Sequence, residues 1–325
     1  MQRLVFITQS VDPDHPALAA TIPKIRALAA RVDELVVLAQ SARPDGLPDN
    51  VDVRAFGSPA RIGRGLRFER QLARALPAEA VVAHMIPLYV LLAAPLVRPR
   101  RIPLLLWYTH WNATWKLRAA ERLATAIVSV DRRSFPLDSA KVRPIGHGID
   151  VNEFFCADRP AHEGVHALVL GRYSPAKGLP TILGAVGQVD GVTLEVHGAA
   201  LNALERAHRD ELGRFGFELG DAVPRADLPQ LFARADVLVN NMRAGAPDKV
   251  VYEAAASCLP VLASNPLFDD LLPDELRFGR DDPAGLAERL RSLDRGRRPE
   301  LREIVAARHS VEHWADGVLA TVEGR

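Results

Sequence analysis

Short apolar segments alternate with longer helix-like segments along almost the whole chain of 325 residues. The apolar segments are nearly continuous runs, such as AVVAH at residues 80–84 and ALVLG at residues 167–171. A strand of a parallel sheet is buried on both faces, so it appears in a sequence as a continuous apolar run. The alternation therefore predicts an α/β protein whose parallel sheets are covered by helices.

The predicted strands fall into two groups. They lie at residues 4–9, 34–40, 51–56, 80–84, 103–110, 125–130 and 142–146, and then at 167–171, 192–198, 217–221, 236–241, 260–264 and 275–279. The polar segment DRPAHEG between the groups has the composition of a linker. We expect two doubly wound Rossmann-like domains facing across a cleft. They span residues 1–155 and 165–300, and residues 301–325 form a C-terminal helix that packs back toward the first domain.

Residues 80–97 form an 18-residue run without Asp, Glu, Lys or Arg, which just reaches the length of a membrane span. His84, Pro87 and Pro95 interrupt this run. A buried strand that ends near His84, followed by a helix that begins near Pro87, therefore fits better than a span.

The cysteines and the first residues bear on the compartment. Cys156 and Cys258 form no motif, so we expect them to be reduced. Residues 1–10 have the pattern of a strand and lack a signal-peptide cleavage site. Both features favour a cytoplasmic protein.

A turn that carries two cations stands out in LVLGRYSPAKGLPTIL, residues 168–183. A helix that begins near Gly178 presents free backbone N–H groups, which attract anions. Arg172 leaves the strand end and Lys177 lies at the helix edge, so both can reach one oxyanion. The turn therefore predicts a phosphate site. The alternative is an ordinary solvated arginine and lysine.

GRYSPAKG resembles the GR-x-x-x-x-KG turn of the family 4 glycosyltransferases, which are retaining enzymes with the GT-B fold. PIGHGIDVNEFF at residues 144–155 is similar to the family segment that enters the interdomain linker. ADLPQLFARADVLVNN at 226–241 and VVYEAAASCLPVLAS at 250–264 resemble two further family elements. The resemblance covers most of residues 142–295.

The resemblance implies roles for single residues. Arg172 and Lys177 would hold the diphosphate of a nucleotide-sugar donor, and Glu253 would accept hydrogen bonds from the ribose. Gly198 would let the donor approach the backbone, and His110, at the end of the predicted strand WYTH, would face the transferred sugar. A glutamate that only stabilises a helix dipole remains the alternative for Glu253.

The sequence departs from the family pattern at two positions. Gly245 stands where the family has a second glutamate, and Cys258 replaces a glycine. Asp248 and Lys249 lie nearby and are candidates to take over the contact with the sugar. Asp248 is equally consistent with a helix cap.

The resemblance as a whole implies transfer of a hexose-type sugar with retention, from a nucleotide sugar to a glycan or a lipid-linked acceptor of the cell envelope. It implies no cofactor and no metal, and DPDH at residues 12–15 matches no established metal site. Two alternatives stay open, namely a nucleotide-sugar-binding protein with impaired catalysis and a nucleotide-sugar epimerase of the same fold.

Charge bears on the partners. The formal net charge of the whole chain is +1, which does not indicate nucleic acid as a partner. The charge is unevenly distributed, because residues 1–150 have a net charge of +8 and the remaining residues have a net charge of −7. Arginines interleave with Leu66, Leu72 and Leu76 in one predicted helix, and more follow it. A solvated face explains this pattern, but peripheral contact with an anionic inner membrane surface is the alternative. The arginines are Arg61, Arg64, Arg67, Arg70 and Arg74, then Arg98, Arg100 and Arg101.

Overall fold

The computed structural model describes residues 1–15, 18–158 and 162–324. Residues 159–161, in the middle of the predicted linker, therefore lie outside the described residues. The chain divides into two compact units, which are Met1–Gly148 together with Arg308–Arg325, and Ile149–Ala307.

The first unit is a parallel sheet of seven strands with helices between them. The strand order is β3-β2-β1-β4-β5-β6-β7, and every pairing is parallel. The elements are β1 (Arg3–Val11), α1 (Thr21–Ala29), β2 (Glu34–Ala42), β3 (Val51–Ala55), α2 (Arg61–Ala75), β4 (Ala80–His84), α3 (Pro87–Val97), β5 (Leu104–Trp107), α4 (Trp115–Leu123), β6 (Ala126–Ser129) and β7 (Val142–Pro144).

The apolar run at residues 80–97 is a buried strand and a helix, as the sequence predicts. β4 ends at His84, and α3 begins at Pro87, where a proline costs no helix hydrogen bond. Within the described ranges, no helix is both long enough and apolar enough to cross a membrane.

The last helix of the chain, α11 (Val311–Val322), packs in the first unit. Its Trp314 is fully buried and meets the ring of Trp107 edge-on, with ring centroids 5.7 Å apart. Arg31, just after α1, forms an ion pair of 2.5 Å with Asp316. The aromatic contact thus holds α11 against β5, and the ion pair holds it beside α1.

The second unit is a parallel sheet of five strands in the order β10-β9-β8-β11-β12. Its elements are β8 (Val165–Leu170), α5 (Leu179–Val186), β9 (Val192–His197), α6 (Ala203–Leu212), β10 (Leu219–Gly220), α7 (Leu228–Arg234), β11 (Val237–Asn240), α8 (Lys249–Ala256), β12 (Val261–Ala263) and α9 (Pro283–Arg291). The helix α10 (Pro299–His309) follows α9. The two doubly wound sheets predicted from the alternation are confirmed.

The strand predicted at residues 275–279 is wrong. A turn of 3₁₀ helix at Asp274–Leu276 occupies the residues with which that strand would begin. Only a single parallel bridge joins Arg277 to Ala263. The apolar pattern reflects the burial of Leu276 under the sheet edge instead.

The expectation of reduced cysteines is also wrong, because Cys156 and Cys258 form a disulfide. They are separated by 102 residues, so their spacing gives no sign of the pairing. Cys258 follows α8 with a φ of 57°, a left-handed conformation that usually requires glycine after a helix. The bond to Cys156 gives a reason for a cysteine at this position.

Candidate functional site

The predicted strand-to-helix turn lies between β8 and α5. Gly171 follows β8 with a φ of 133°, and Gly178 precedes α5 with a φ of 60°. Between them, Pro175–Lys177 form one turn of 3₁₀ helix. Two glycines in conformations that other residues rarely adopt therefore shape the turn. It lies at the carboxyl edge of the sheet, where parallel sheets bind their ligands.

Lys177 reaches back from this turn over the end of β8. Its Nζ donates to the carbonyl oxygen of Leu170 at 3.1 Å and forms an ion pair with Asp248. The lysine side chain is 11% exposed. A Cβ at Gly171 would lie 2.2 Å from Nζ, so the glycine makes room for the ammonium group.

Asp248 is the residue that immediately precedes α8, but its side chain makes no capping hydrogen bond. Its Oδ2 instead accepts from Lys177 and from Asn240 Nδ2, the latter at 2.7 Å. The predicted cap is therefore not formed. The carboxylate joins the strand-to-helix turn after β8 to the end of β11.

Arg172 is paired with a different carboxylate. Its Nη1 lies 3.2 Å from Oε1 of Glu205, near the start of α6. Glu205 is buried, and its Oε2 accepts from the backbone N–H of Leu201 at 2.8 Å. The arginine side chain is 47% exposed. Arg172 and Lys177 thus share one turn, but each cation is neutralised by its own acidic partner.

Glu253 lies on α8 and is 2% exposed. Its Oε1 accepts from Nη1 of Arg225 at 2.6 Å and lies 3.1 Å from Nζ of Lys249, one helical turn earlier. Burial alone would raise the pKa of this carboxyl, but Lys249 and Arg225 outweigh it and lower the pKa below 4.5. Glu253 is thus a buried carboxylate held in its charged form.

The backbone explains why glycine occupies two further positions near the turn. A Cβ at Gly198 would lie 2.0 Å from the carbonyl oxygen of Gly171, so Gly198 allows two strand ends to approach. Gly245 has a φ of 79°. A glutamate at this position would be strained, so the left-handed backbone gives a reason for glycine here.

His110 lies in the first unit, in a loop and not at a strand end, because β5 ends at Trp107. The backbone of Tyr108 still bonds to β6, but the chain then turns away. The His110 ring stacks on Trp111 with centroids 3.9 Å apart, and its Nδ1 accepts from the N–H of Asn112 at 3.1 Å.

Sequence reasoning missed Arg225, which lies in a 3₁₀ turn before α7. Its Nη2 pairs with Glu153 and its Nη1 with Glu253. The partners lie 72 and 28 residues away. No local pattern signals such a bridge, because an arginine before a helix is unremarkable in a sequence.

A second missed feature is Lys24, which is 4% exposed in the first unit. Its Nζ lies 5.6 Å from the ring centroid of Trp107 and 5.4 Å from that of Trp314. Nearby, burial and then the charge of Lys24 lower the pKa of His84 to about 3. The histidine is neutral, and its Nδ1 lies 3.3 Å from Thr8 Oγ1.

Residues 164–294 match the family model described as glycosyl transferases group 1. A search of curated protein sequences found no match.

Solved structures resemble the whole chain. HepE from Anabaena in complex with UDP-glucose gives a TM-score of 0.78 at 18% identity and covers 100% of both chains. Sucrose-phosphate synthase from Thermosynechococcus elongatus gives 0.77 at 17%, covering 100% of this chain and 99% of that one. A glycosyltransferase from Rickettsia africae gives 0.76 at 10%, covering 99% and 98%. The GT-B fold and the glycosyltransferase class predicted from the sequence are confirmed. Membership of family 4 and retention stay predictions.

Proposed function

We propose that this chain is a retaining, metal-independent glycosyltransferase that moves a hexose-type sugar from a nucleotide-sugar donor to an acceptor. One observation carries the proposal. The second unit places two cations, Arg172 and Lys177, and the buried carboxylate of Glu253 at the carboxyl edge of one parallel sheet. HepE, which has the same fold, binds UDP-glucose.

The two cations suit the leaving group. Cleavage of the sugar–phosphate bond leaves negative charge on a diphosphate oxygen, and cations placed in advance stabilise that charge. Lys177 and Arg172 each hold a carboxylate, and a diphosphate can replace both carboxylates. In front-face substitution, the acceptor oxygen bonds to the anomeric carbon on the side from which the diphosphate departs. The departing oxygen takes the acceptor's proton.

Asp248 is our candidate for the missing family glutamate. Once a diphosphate engages Lys177, Asp248 keeps only its hydrogen bond from Asn240 and can accept hydroxyl hydrogens of the sugar. Lys249 belongs with Glu253, to which it is paired, rather than with the sugar. The role of His110 rests on the family resemblance, and His110→Ala tests it through the rate of transfer.

The second unit also has space for a nucleoside. A cavity of about 540 Å³ is lined by residues next to Arg225, including Asp221, Pro224 and Gln230. Glu253 is joined to this region through Arg225. We therefore place the nucleoside of the donor here and its diphosphate at the turn after β8.

The test has two steps. The protein is first titrated calorimetrically with UDP, GDP, ADP and CDP, and the corresponding nucleotide sugars are then assayed for diphosphate release with acceptor extracts. Lys177→Ala and Glu253→Ala should each weaken binding of the tightest diphosphate. Arg291→Ala is the matched control, because this exposed residue of α9 donates to the carbonyl of Gln188 and has no other hydrogen-bond partner among the described residues. Wild-type affinity in both site variants would contradict the proposed site.

We further propose a lipid-linked or cell-envelope acceptor reached from the inner membrane surface. The supporting observation is on α2, where Ile62 is 81% and Leu66 is 64% exposed among the arginines. Leu72, by contrast, is fully buried in the core, so only the first half of α2 is suited to a membrane. Exposed apolar side chains beside basic ones favour an anionic lipid surface.

Sedimentation with vesicles of phosphatidylcholine, with and without phosphatidylglycerol, tests this surface. Binding should require the anionic lipid and should fall in the double variant Ile62→Ser/Leu66→Ser. Leu204→Ser is the control, because Leu204 is similarly exposed (68%) on α6 of the second unit. Vesicle binding that does not depend on the anionic lipid would contradict the membrane proposal. It would not affect the proposal that the chain is a glycosyltransferase.

A second candidate function is nucleotide-sugar binding without transfer. The backbone of Gly245 and the ion pair between Asp248 and Lys177 favour it, because the sugar contact of the family is altered. Tight binding of a diphosphate without turnover in any extract would support this candidate. Interconversion of nucleotide sugars without an acceptor would instead indicate an epimerase.

A further inference from the structure

Arg225 bridges two acidic residues within the second unit. Its Nη1 donates to Oε1 of Glu253 at 2.6 Å, and its Nη2 donates to Oε2 of Glu153. The arginine side chain is 17% exposed, and that of Glu253 is 2% exposed. A guanidinium that is paired at both ends has one orientation, so it also gives Glu253 one orientation.

The far end of the bridge is itself immobilised. Arg302 donates to the carbonyl oxygens of Val151, Phe154 and Ala256, and so joins the segment around Glu153 to the end of α8. The disulfide between Cys156 and Cys258 joins the same two segments again. Glu153 therefore offers Arg225 a fixed anchor.

The two oxygens of Glu253 are used unequally. Oε1 interacts with both Arg225 and Lys249. Among the described residues, Oε2 has no hydrogen-bond donor. A carboxylate oxygen in this state can accept a hydroxyl hydrogen of a ligand without giving up a protein partner.

We propose that Arg225 is a positioning residue that holds Glu253 through Oε1, so that Oε2 is the acceptor for a ribose hydroxyl of the donor nucleotide. This inference rests on the proposed function and deepens it. Glu153 anchors Arg225, so the segment that begins the second unit contributes to nucleotide recognition although it does not touch the ligand. The recognised group is a ribonucleoside diphosphate rather than its 2′-deoxy counterpart.

The experiment compares the affinity for a ribonucleoside diphosphate with that for its 2′-deoxy form, using whichever of UDP, GDP, ADP or CDP binds tightest. A buried carboxylate that bonds to a hydroxyl should discriminate by about tenfold or more. Arg225→Gln should bring the ratio close to one, Arg225→Lys should restore part of it, and Glu153→Gln should reduce it. A purely structural role would weaken both ligands equally and leave the ratio unchanged.

Arg302→Gln is the matched control, because it loosens the same segments without touching Glu253. It should lower the melting temperature and reduce the ratio by less than Glu153→Gln does, because both ion pairs of Arg225 remain. Unchanged discrimination in Arg225→Gln, with folding verified by its melting curve, would overturn the inference. A wild-type protein that binds diphosphates without discrimination would overturn it too but leave donor binding intact. A wild-type protein that binds none would overturn the proposed function itself.

Discussion

Lys177→Ala should affect both the affinity for the donor and the stability of the protein, because one ammonium group serves both. The lysine is expected to bind the donor diphosphate, and it also neutralises Asp248, whose side chain is only 15% exposed. Loss of a charged hydrogen-bond donor to the diphosphate costs about 1.5–3 kcal/mol. The affinity for a nucleoside diphosphate should therefore fall by about 10- to 100-fold.

The same substitution should destabilise the protein. Breaking a buried ion pair by removing one partner costs about 3–5 kcal/mol. Asp248 keeps its hydrogen bond from Asn240 at 2.7 Å, so the lower end of the range applies, about 3 kcal/mol. For a unit of this size, the melting temperature should fall by about 6–12 °C.

The double variant Lys177→Ala/Asp248→Asn distinguishes the two effects. Removing the unpaired charge should restore most of the stability, whereas the affinity for the diphosphate should stay low. Asp248→Asn alone should bind the diphosphate at least as tightly as the wild type, since the competing carboxylate is gone. Calorimetric titration and thermal unfolding of all four proteins provide the measurements. A double variant that recovers wild-type affinity would refute the diphosphate role, because the loss would then be structural.

Three further predictions concern stability. The folded-state pKa of Glu253 is lowered below 4.5, so its ion pairs stabilise the protein fully above that pH and are lost as the pH falls through the lowered pKa. In Glu253→Gln, the melting temperature should therefore depend less on pH in the acid range. An acid profile like that of the wild type would speak against the ion pairs. The pKa of His84 is lowered to about 3, so the free energy of unfolding should decrease progressively as the pH falls from 6.5 toward 3. His84→Gln should make the free energy of unfolding depend less steeply on pH over this range. The same pH dependence in the variant and the wild type would contradict a neutral buried ring. Reduction of the disulfide between Cys156 and Cys258 with dithiothreitol should lower the free energy of unfolding by about 2–4 kcal/mol. The unfolding curve of Cys156→Ser, which lacks the bond, should not change with the reductant. A wild-type unfolding curve that is also unchanged by the reductant would mean that the bond does not form.

Much of the architecture follows from local patterns. The seven strands of the first sheet and five of the six predicted strands of the second lie where continuous apolar runs predict them. The turn after β8 also follows from its own residues, since Gly171 and Gly178 adopt the conformations for which glycine is suited. Errors occur where a run is apolar for another reason, as at Leu276, which is buried without being in a strand.

The sequence alone therefore determined the α/β class, the division into two sheets and the cationic turn with its candidates Arg172 and Lys177, because strand burial and turn chemistry are encoded within a few neighbouring residues. Only the tertiary structure decided which charges meet. Asp248 pairs with Lys177, Arg225 joins Glu153 to Glu253, and Cys156 bonds to Cys258. These partners come from segments up to 102 residues apart, and their contacts depend on the order of strands in the sheet, which no local spacing records.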